Sequence, residues 1–224
     1  MIIWGIDLWI VFITVIVILS ITVIIILYRL HQQDDNDFKY VKYKKIKKTL
    51  RTGDILAVSY PSYRGKLIKI FTGSWWAHTV MVVKKGKDMY VYEMARYHSD
   101  EQGLLLKPIE DWIDWNEEYT IALRKYDGVK KFPKKKLQRL LVESSEYEVD
   151  MSVVSWLKTS VRRKYKPEDK DYYYCSEFIA HMMQSIGIMK KIIIPSSYKP
   201  WELLYDDLRL YDGYSYSTPV MLSF

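Results

Sequence analysis

The sequence predicts an α+β domain built on a largely antiparallel sheet and preceded by one transmembrane helix. Three observations predict it. Short β-rich runs precede helical patterns along the chain, an order that suits α+β architecture rather than alternating βαβ units. The stretch from Leu8 to Leu27 contains no charged residue. The 224-residue chain is 49% apolar and 15% aromatic, with 20 tyrosines, so the portion after the apolar stretch can bury one core.

The apolar stretch, at about 1.5 Å rise per residue, makes a helix about 30 Å long, the thickness of a bilayer core. Its polar members are Thr14, Ser20 and Thr22. Trp4 and Trp9 near one end and Tyr28 at the other resemble interfacial anchors. A cleaved signal peptide wants positive charge ahead of the apolar run and small residues behind it. Here Asp7 precedes the run and Tyr28-Arg29-Leu30 succeeds it, so an uncleaved anchor is expected.

The formal net charge is +7. Arg29, Lys39, Lys42, Lys44, Lys45, Lys47, Lys48 and Arg51 stand against Asp34, Asp35 and Asp37, a local excess of five. A basic flank on the C-terminal side predicts a short N-terminus outside and a cytosolic C-terminal domain. The run also suits contact with anionic headgroups. No nucleic-acid recognition motif accompanies it, so nucleic acid is not expected as a partner. The expected organisation is an anchor over residues 1–30, a basic juxtamembrane linker over 31–50 and a folded domain over 51–224.

Within that frame, Tyr40 to Leu50 reads as a juxtamembrane helix. Asp54 to Tyr60 (DILAVSY) reads as a strand closed by Pro61. Lys66 to Phe71 is a short helix or turn. Trp75 to Val83 (WWAHTVMVV) is the clearest strand, and Lys84 to Lys87 turns it into a hairpin partner, Asp88 to Ala95. Tyr119 to Arg124 is a further strand. Pro133 to Ser145 is a helix with Leu137, Leu140 and Leu141 on one face. Met151 to Lys164 is a second helix. Ser176 to Ile186 is a third, stopped by Gly187. The tail from Pro195 reads as irregular.

One cysteine excludes an intramolecular disulfide and a Cys-rich zinc site, and it fits a reducing compartment. Cys175 directly precedes the helical pattern of Phe178, Ile179, Met182 and Met183. Free N–H groups and the positive end of the dipole at a helix N-terminus stabilise a thiolate, the nucleophilic form. They can also stabilise a tetrahedral oxyanion.

A thiol nucleophile needs a base, and the chain has four histidines. His31 lies in the linker and His98 in a polar loop. His181 falls on a different helix face from the sulfur. His78 is inside the strongest strand, where the bland alternative is a satisfied core residue. A four-residue loop over Lys84 to Lys87 sets Val83 opposite Asp88 and His78 opposite Glu93, sharing one sheet face. A carboxylate there would orient the imidazole and stabilise its charged form. A loop of three or five residues would send Glu93 to the other face.

These stretches resemble the circularly permuted NlpC/P60 proteins of the papain-like superfamily. That group includes YiiX/YaeF-like bacterial proteins, relatives of lecithin:retinol acyltransferase, and poxvirus and giant-virus proteins. RTGDIL (51–56) is similar to the group's opening Gly-Asp strand, and WAHTVMVV (76–83) to its His strand. VYEMA (91–95) is similar to the strand with the third polar residue, YCSEFI (174–179) to the helix start bearing the Cys, and IPSSY (194–198) to a Pro-containing segment. Where many members carry Gly two residues after the His, this chain has Thr79-Val80.

The resemblance implies Cys175 as nucleophile, His78 as base and Glu93 as the orienting residue, with no metal or organic cofactor. It implies a thiol hydrolase of the peptidase or amidase kind acting through an acyl-enzyme. A lipid acyltransferase or lipase is the alternative within that chemistry. The alternative from another class is a structural membrane anchor, linking capsid proteins to the inner membrane of a virion. The expected partners are the bilayer and a protein or lipid substrate.

Overall fold

In the computed structural model the described residues are 2–3, 6–34, 38–72, 74–96, 102–149, 172–205 and 208–224. The second helix expected over 151–164, and His98, lie outside them. The chain divides into two compact units, Met1–Asp37 and Phe38–Phe224.

The first unit holds a short antiparallel pair, Ile2–Ile3 against Ile6–Asp7, and then helix α1, Leu8–Asp34. The segment Leu8–Ile25 has a mean hydropathy of 3.1 and is unburied, so this one helix is long and apolar enough to cross a membrane. Its hydroxyls stay within the helix. Thr14 Oγ1 donates to the Ile10 carbonyl at 2.7 Å and Thr22 Oγ1 to that of Ile18 at 2.8 Å. In hydrocarbon, where water offers no partner, that satisfies them.

The second unit is α+β. Its sheet has seven strands: β1 (Tyr40–Lys42), β2 (Ile55–Ser59), β3 (His78–Lys85), β4 (Asp88–Arg96), β5 (Gln102–Pro108), β6 (Thr120–Arg124) and β7 (Val220–Ser223). They lie in the order β1-β7-β6-β2-β3-β4-β5. Every pairing is antiparallel except that of β7 with β1. Among the described residues, besides the four-residue turn Tyr43–Ile46, the unit's α-helices are α2 (Tyr63–Thr72), α3 (Ile109–Asn116), α4 (Lys134–Glu143), α5 (Cys175–Ser185) and α6 (Pro200–Leu204).

Strand β2 is buried along its whole length because both sheet faces are covered. Successive residues serve opposite cores, as the pleat requires. Ile55, Ala57, Met81, Val83, Met94 and Ala122 pack with Phe178, Ile179, Met182 and Met183 of α5. Leu56, Val58, Val80, Val82, Val91 and Leu123 pack with Ile109, Trp112 and Ile113 of α3. The helix bearing the cysteine is therefore fixed to one face of the strand bearing His78.

Several elements differ from the sequence pattern. Tyr40–Lys42 is a strand, and helical turns begin only at Tyr43. Its Lys–apolar alternation suits an edge strand with one partner and a wet outer side. The tail from Pro195 is structured, holding α6 and the inner strand β7. Strand β5 and helix α3, which the pattern left unassigned, are both present. The hairpin turn is the two residues Gly86-Lys87, with Lys85 opposite Asp88 and Gly86 at φ 65°. Two-residue turns need such positive φ, which glycine adopts without a Cβ clash.

Candidate active site

The site starts with the cap of α5. Tyr174 is extended, and its backbone N–H points to Glu177 Oε2 at 3.5 Å. The Tyr174 hydroxyl donates to the Ser196 carbonyl, and Ser176 Oγ donates to the Tyr198 carbonyl at 2.9 Å. All three side chains are buried. Tyr174 and Ser176 thus clamp the helix tip to the Pro195–Ser197 turn and its continuation, and Cys175 between them has little freedom to move. The Tyr-Cys-Ser-Glu run and the Ile194 to Tyr198 segment are two halves of one joint.

Cys175 is partly exposed, unlike its neighbours in the cap. Its sulfur meets His78 and, beside it, the backbone N–H and hydroxyl of Thr79. The Thr79 hydroxyl is buried near the sulfur but makes no hydrogen bond of ordinary geometry to any group. The resembled pattern departs from its usual form one residue further on, at Val80.

His78 is the first residue of β3 and is 9% exposed. Its Nε2 lies 2.9 Å from Glu93 Oε2, and the ring sits close enough to Cys175 for the charges of the two groups to be coupled. Glu93 is 1% exposed, and the same oxygen accepts a hydrogen bond from Trp112 Nε1 at 3.2 Å. Tyr60, just beyond β2, stacks on the imidazole with ring centroids 6.3 Å apart and planes 28° from parallel. Tyr119 meets Tyr60 edge-on at 5.3 Å.

The direct opposition of His78 and Glu93 does not hold. The observed register, continued from Met81 opposite Tyr92, sets Glu93 opposite Val80. The shorter turn slides the partner strand by two residues, and an even slide keeps every side chain on its face. Glu93 therefore reaches His78 diagonally.

Burial pushes the imidazole pKa down, but the Cys175 thiolate and then Glu93 outweigh it and push His78 up to about 10. Burial pushes the Cys175 thiol up, and the charged His78 beside it, helped by Thr79, carries it below the ordinary thiol value. Both shifts favour a thiolate–imidazolium pair. Burial, and after it the charges at Glu93 and Cys175, hold the Tyr60 hydroxyl protonated.

The structure brings together all three residues that the sequence singled out. Sequence reasoning missed Tyr60, Thr79 and Trp112. Of these only Thr79 carried a signal, by its place next to His78. His181 stands apart from the site, its ring 5.0 Å from that of Tyr173 and 6.4 Å from that of Tyr147. Asp54, of the Gly-Asp pair, is fully buried and accepts from the backbone N–H groups of Arg51 at 3.0 Å and Tyr126 at 2.9 Å. It ties the start of β2 to the end of β6 and plays no part in the site. Among the described residues no group of three or more His, Cys, Asp or Glu side chains gathers to hold a metal ion.

No family model and no curated protein matches the chain. Among solved structures it is similar to the metalloprotein YiiX from Escherichia coli O157:H7. That match has 20% identity and a TM-score of 0.39, and it covers 75% of this chain and 96% of the other.

Proposed function

We propose that the chain is a membrane-anchored thiol hydrolase of papain-like mechanism, acting on an amide or ester carbonyl, with a peptidase or amidase activity foremost. The observation that carries this reading is the chain of contacts from Cys175 at a helix tip, through His78, to buried Glu93.

The thiolate attacks the carbonyl carbon, and the carbonyl π pair moves onto oxygen. Backbone N–H groups at the start of α5 face the developing charge. The tetrahedral intermediate collapses as His78 gives a ring proton to the leaving amine or alkoxide, leaving a thioester on Cys175. His78, now neutral, takes a proton from water, and the resulting hydroxide attacks the thioester. Collapse releases the carboxylic acid and returns thiolate and imidazolium. Glu93 touches no reacting atom. It positions the ring and balances its charge.

Helix α1 supports a membrane tether, with the domain on the cytosolic side as the basic flank suggests. A site held at a cytosolic membrane face would meet protein chains, lipidated proteins and lipids rather than cell-wall peptides. The apolar helix favours acyl-lipid chemistry as the second reading.

The test uses the full chain in nanodiscs. A chloroacetamide probe should label wild type much faster at pH 7 than a free thiol of ordinary pKa. Cys175→Ala should abolish labelling, and His78→Ala should slow it to the ordinary rate. Peptide libraries and acyl-lipid vesicles then separate the two substrate classes. Labelling of wild type at the ordinary rate, with no turnover of either class, overturns the reading and leaves the structural-anchor alternative.

A further inference from the structure

Away from Cys175, the loop between β6 and α4 forms a cavity of about 750 Å³. Arg51, Lys130, Lys131, Lys134, Lys135 and Lys136 line it, and no acidic residue does. Its inner wall is aromatic, from Tyr126 and Phe132, both buried. Two of the cations are held over rings, Arg51 at 6.0 Å from the Tyr126 centroid and Lys130 at 5.4 Å from that of Tyr214. The neighbouring carboxylate in the loop, Asp127, is engaged by Ser215 Oγ at 2.7 Å.

The placing of three of these lysines is electrostatically adverse. Lys134, Lys135 and Lys136 occupy the first turn of α4, which contains no acidic residue. A helix N-terminus already carries partial positive charge, and its first N–H groups have no intrahelical acceptor. Cations there are repelled by the helix as well as by one another. A bound polyanion would reverse the sign of every one of these interactions.

The lip of the cavity identifies the source of the anion. Val129 is 93% exposed, next to Lys130 and Lys131. A bare apolar side chain beside lysines gains nothing in water, but it gains on entering the acyl boundary of a membrane whose phosphates face those lysines.

We infer that this cavity binds the phosphate-bearing headgroup of an anionic lipid, with Val129 entering the bilayer beside it. The basic run of residues 39–51 supplies diffuse attraction, whereas the cavity supplies a bounded site. This inference is independent of Cys175 chemistry.

The experiment uses the full chain in neutral detergent micelles. Dioctanoyl phosphatidylinositol 4,5-bisphosphate, free inositol 1,4,5-trisphosphate and inorganic phosphate are titrated separately and monitored by calorimetry. Short-chain lipid should bind more tightly than free trisphosphate, and inorganic phosphate weakest. The quadruple change of Lys130, Lys131, Lys134 and Lys135 to Gln should weaken lipid binding about tenfold or more, at four lost charges near a headgroup. Changing the same four to Arg should preserve it. Val129→Asp should weaken lipid binding and leave free trisphosphate unchanged. Lipid affinity that falls equally when Lys44, Lys45, Lys47 and Lys48 are changed to Gln overturns the bounded site. Free trisphosphate binding as tightly as lipid, with no effect of Val129→Asp, overturns the membrane source in favour of a soluble polyphosphate.

Discussion

Glu93 holds His78 from a diagonal position, with Nε2 and Oε2 2.9 Å apart across a hairpin that never sets the two residues directly opposite. Its anchor on the far side is Trp112, whose indole N–H meets the same carboxylate oxygen from helix α3. The orientation of the ring therefore depends on elements from both the sheet and the helix layer beneath it.

Glu93→Gln keeps the shape and removes the charge. Turnover should fall by about tenfold or more, as expected when a general acid–base loses its orienting partner. The alkaline limit of activity should also move below that of wild type. Trp112→Phe should cost about 1.5–3 kcal/mol, the usual worth of a hydrogen bond to a charged group, read as a lower midpoint in urea.

The thiolate–imidazolium pair predicts a pH window. His78 is pushed up to about 10, so its stabilising contribution is fully present below the ordinary histidine value of about 6.5 and is lost as pH rises through about 10. Cys175 is depressed, so its contribution is present above the ordinary thiol value and is lost as pH falls through its folded value. Alkylation of wild type should thus hold a plateau that extends below the ordinary thiol range, and turnover should fall above about pH 10. In His78→Gln the plateau should vanish, with alkylation rising only at alkaline pH.

Thr79→Val removes one hydroxyl without changing the outline of the strand. Alkylation at pH 7 should slow by no more than about 12-fold, the about 1.5 kcal/mol upper end of a single hydrogen bond, because the hydroxyl lies near the sulfur without a full hydrogen bond to it. Thermal melting should change little, because the hydroxyl has no hydrogen-bond partner to abandon.

Tyr174→Phe and Ser176→Ala each remove a donor to a carbonyl of the segment Ser196 to Tyr198. Each should destabilise by about 1–3 kcal/mol if water does not enter. Each should also slow alkylation of Cys175, since the helix tip is then less firmly held. A melting shift with unchanged alkylation would show that the joint supports only the fold.

Asp54→Ala supplies the contrast. It leaves the Arg51 and Tyr126 N–H groups without their acceptor, at about 1–3 kcal/mol for each donor that stays buried. Melting should drop while the alkylation rate of the surviving folded protein matches wild type.

The features legible in the sequence were local. The apolar pattern of Phe178, Ile179, Met182 and Met183 locates α5, and the cysteine before it locates the nucleophile. Hairpin parity put Glu93 on the face of His78 even though the turn is two residues shorter than the Lys-rich run suggested. The features that stayed hidden depend on distant packing. Tyr60 and Trp112 reach His78 and Glu93 from separate elements, and no spacing announces such meetings. Strand β5 escaped because Leu104-Leu105-Leu106 breaks the alternation of period two. Strand β1 escaped because three residues inside a lysine run carry too little pattern.

Strand β7 fills the gap between β1 and β6, pairing Met221 with Tyr40 from about 180 positions further along the chain. A ribosome adding about 5–20 residues per second needs roughly 9 to 36 seconds to cover that distance. Throughout that interval Tyr40–Lys42 has no mate, and once Thr120–Arg124 is made one of its margins stands open until β7 arrives. The sheet can only be sealed after Val220–Ser223 has been made, well after the apolar helix has left the ribosome. Chaperone occupancy on the nascent polypeptide should therefore persist until Val220–Ser223 emerges.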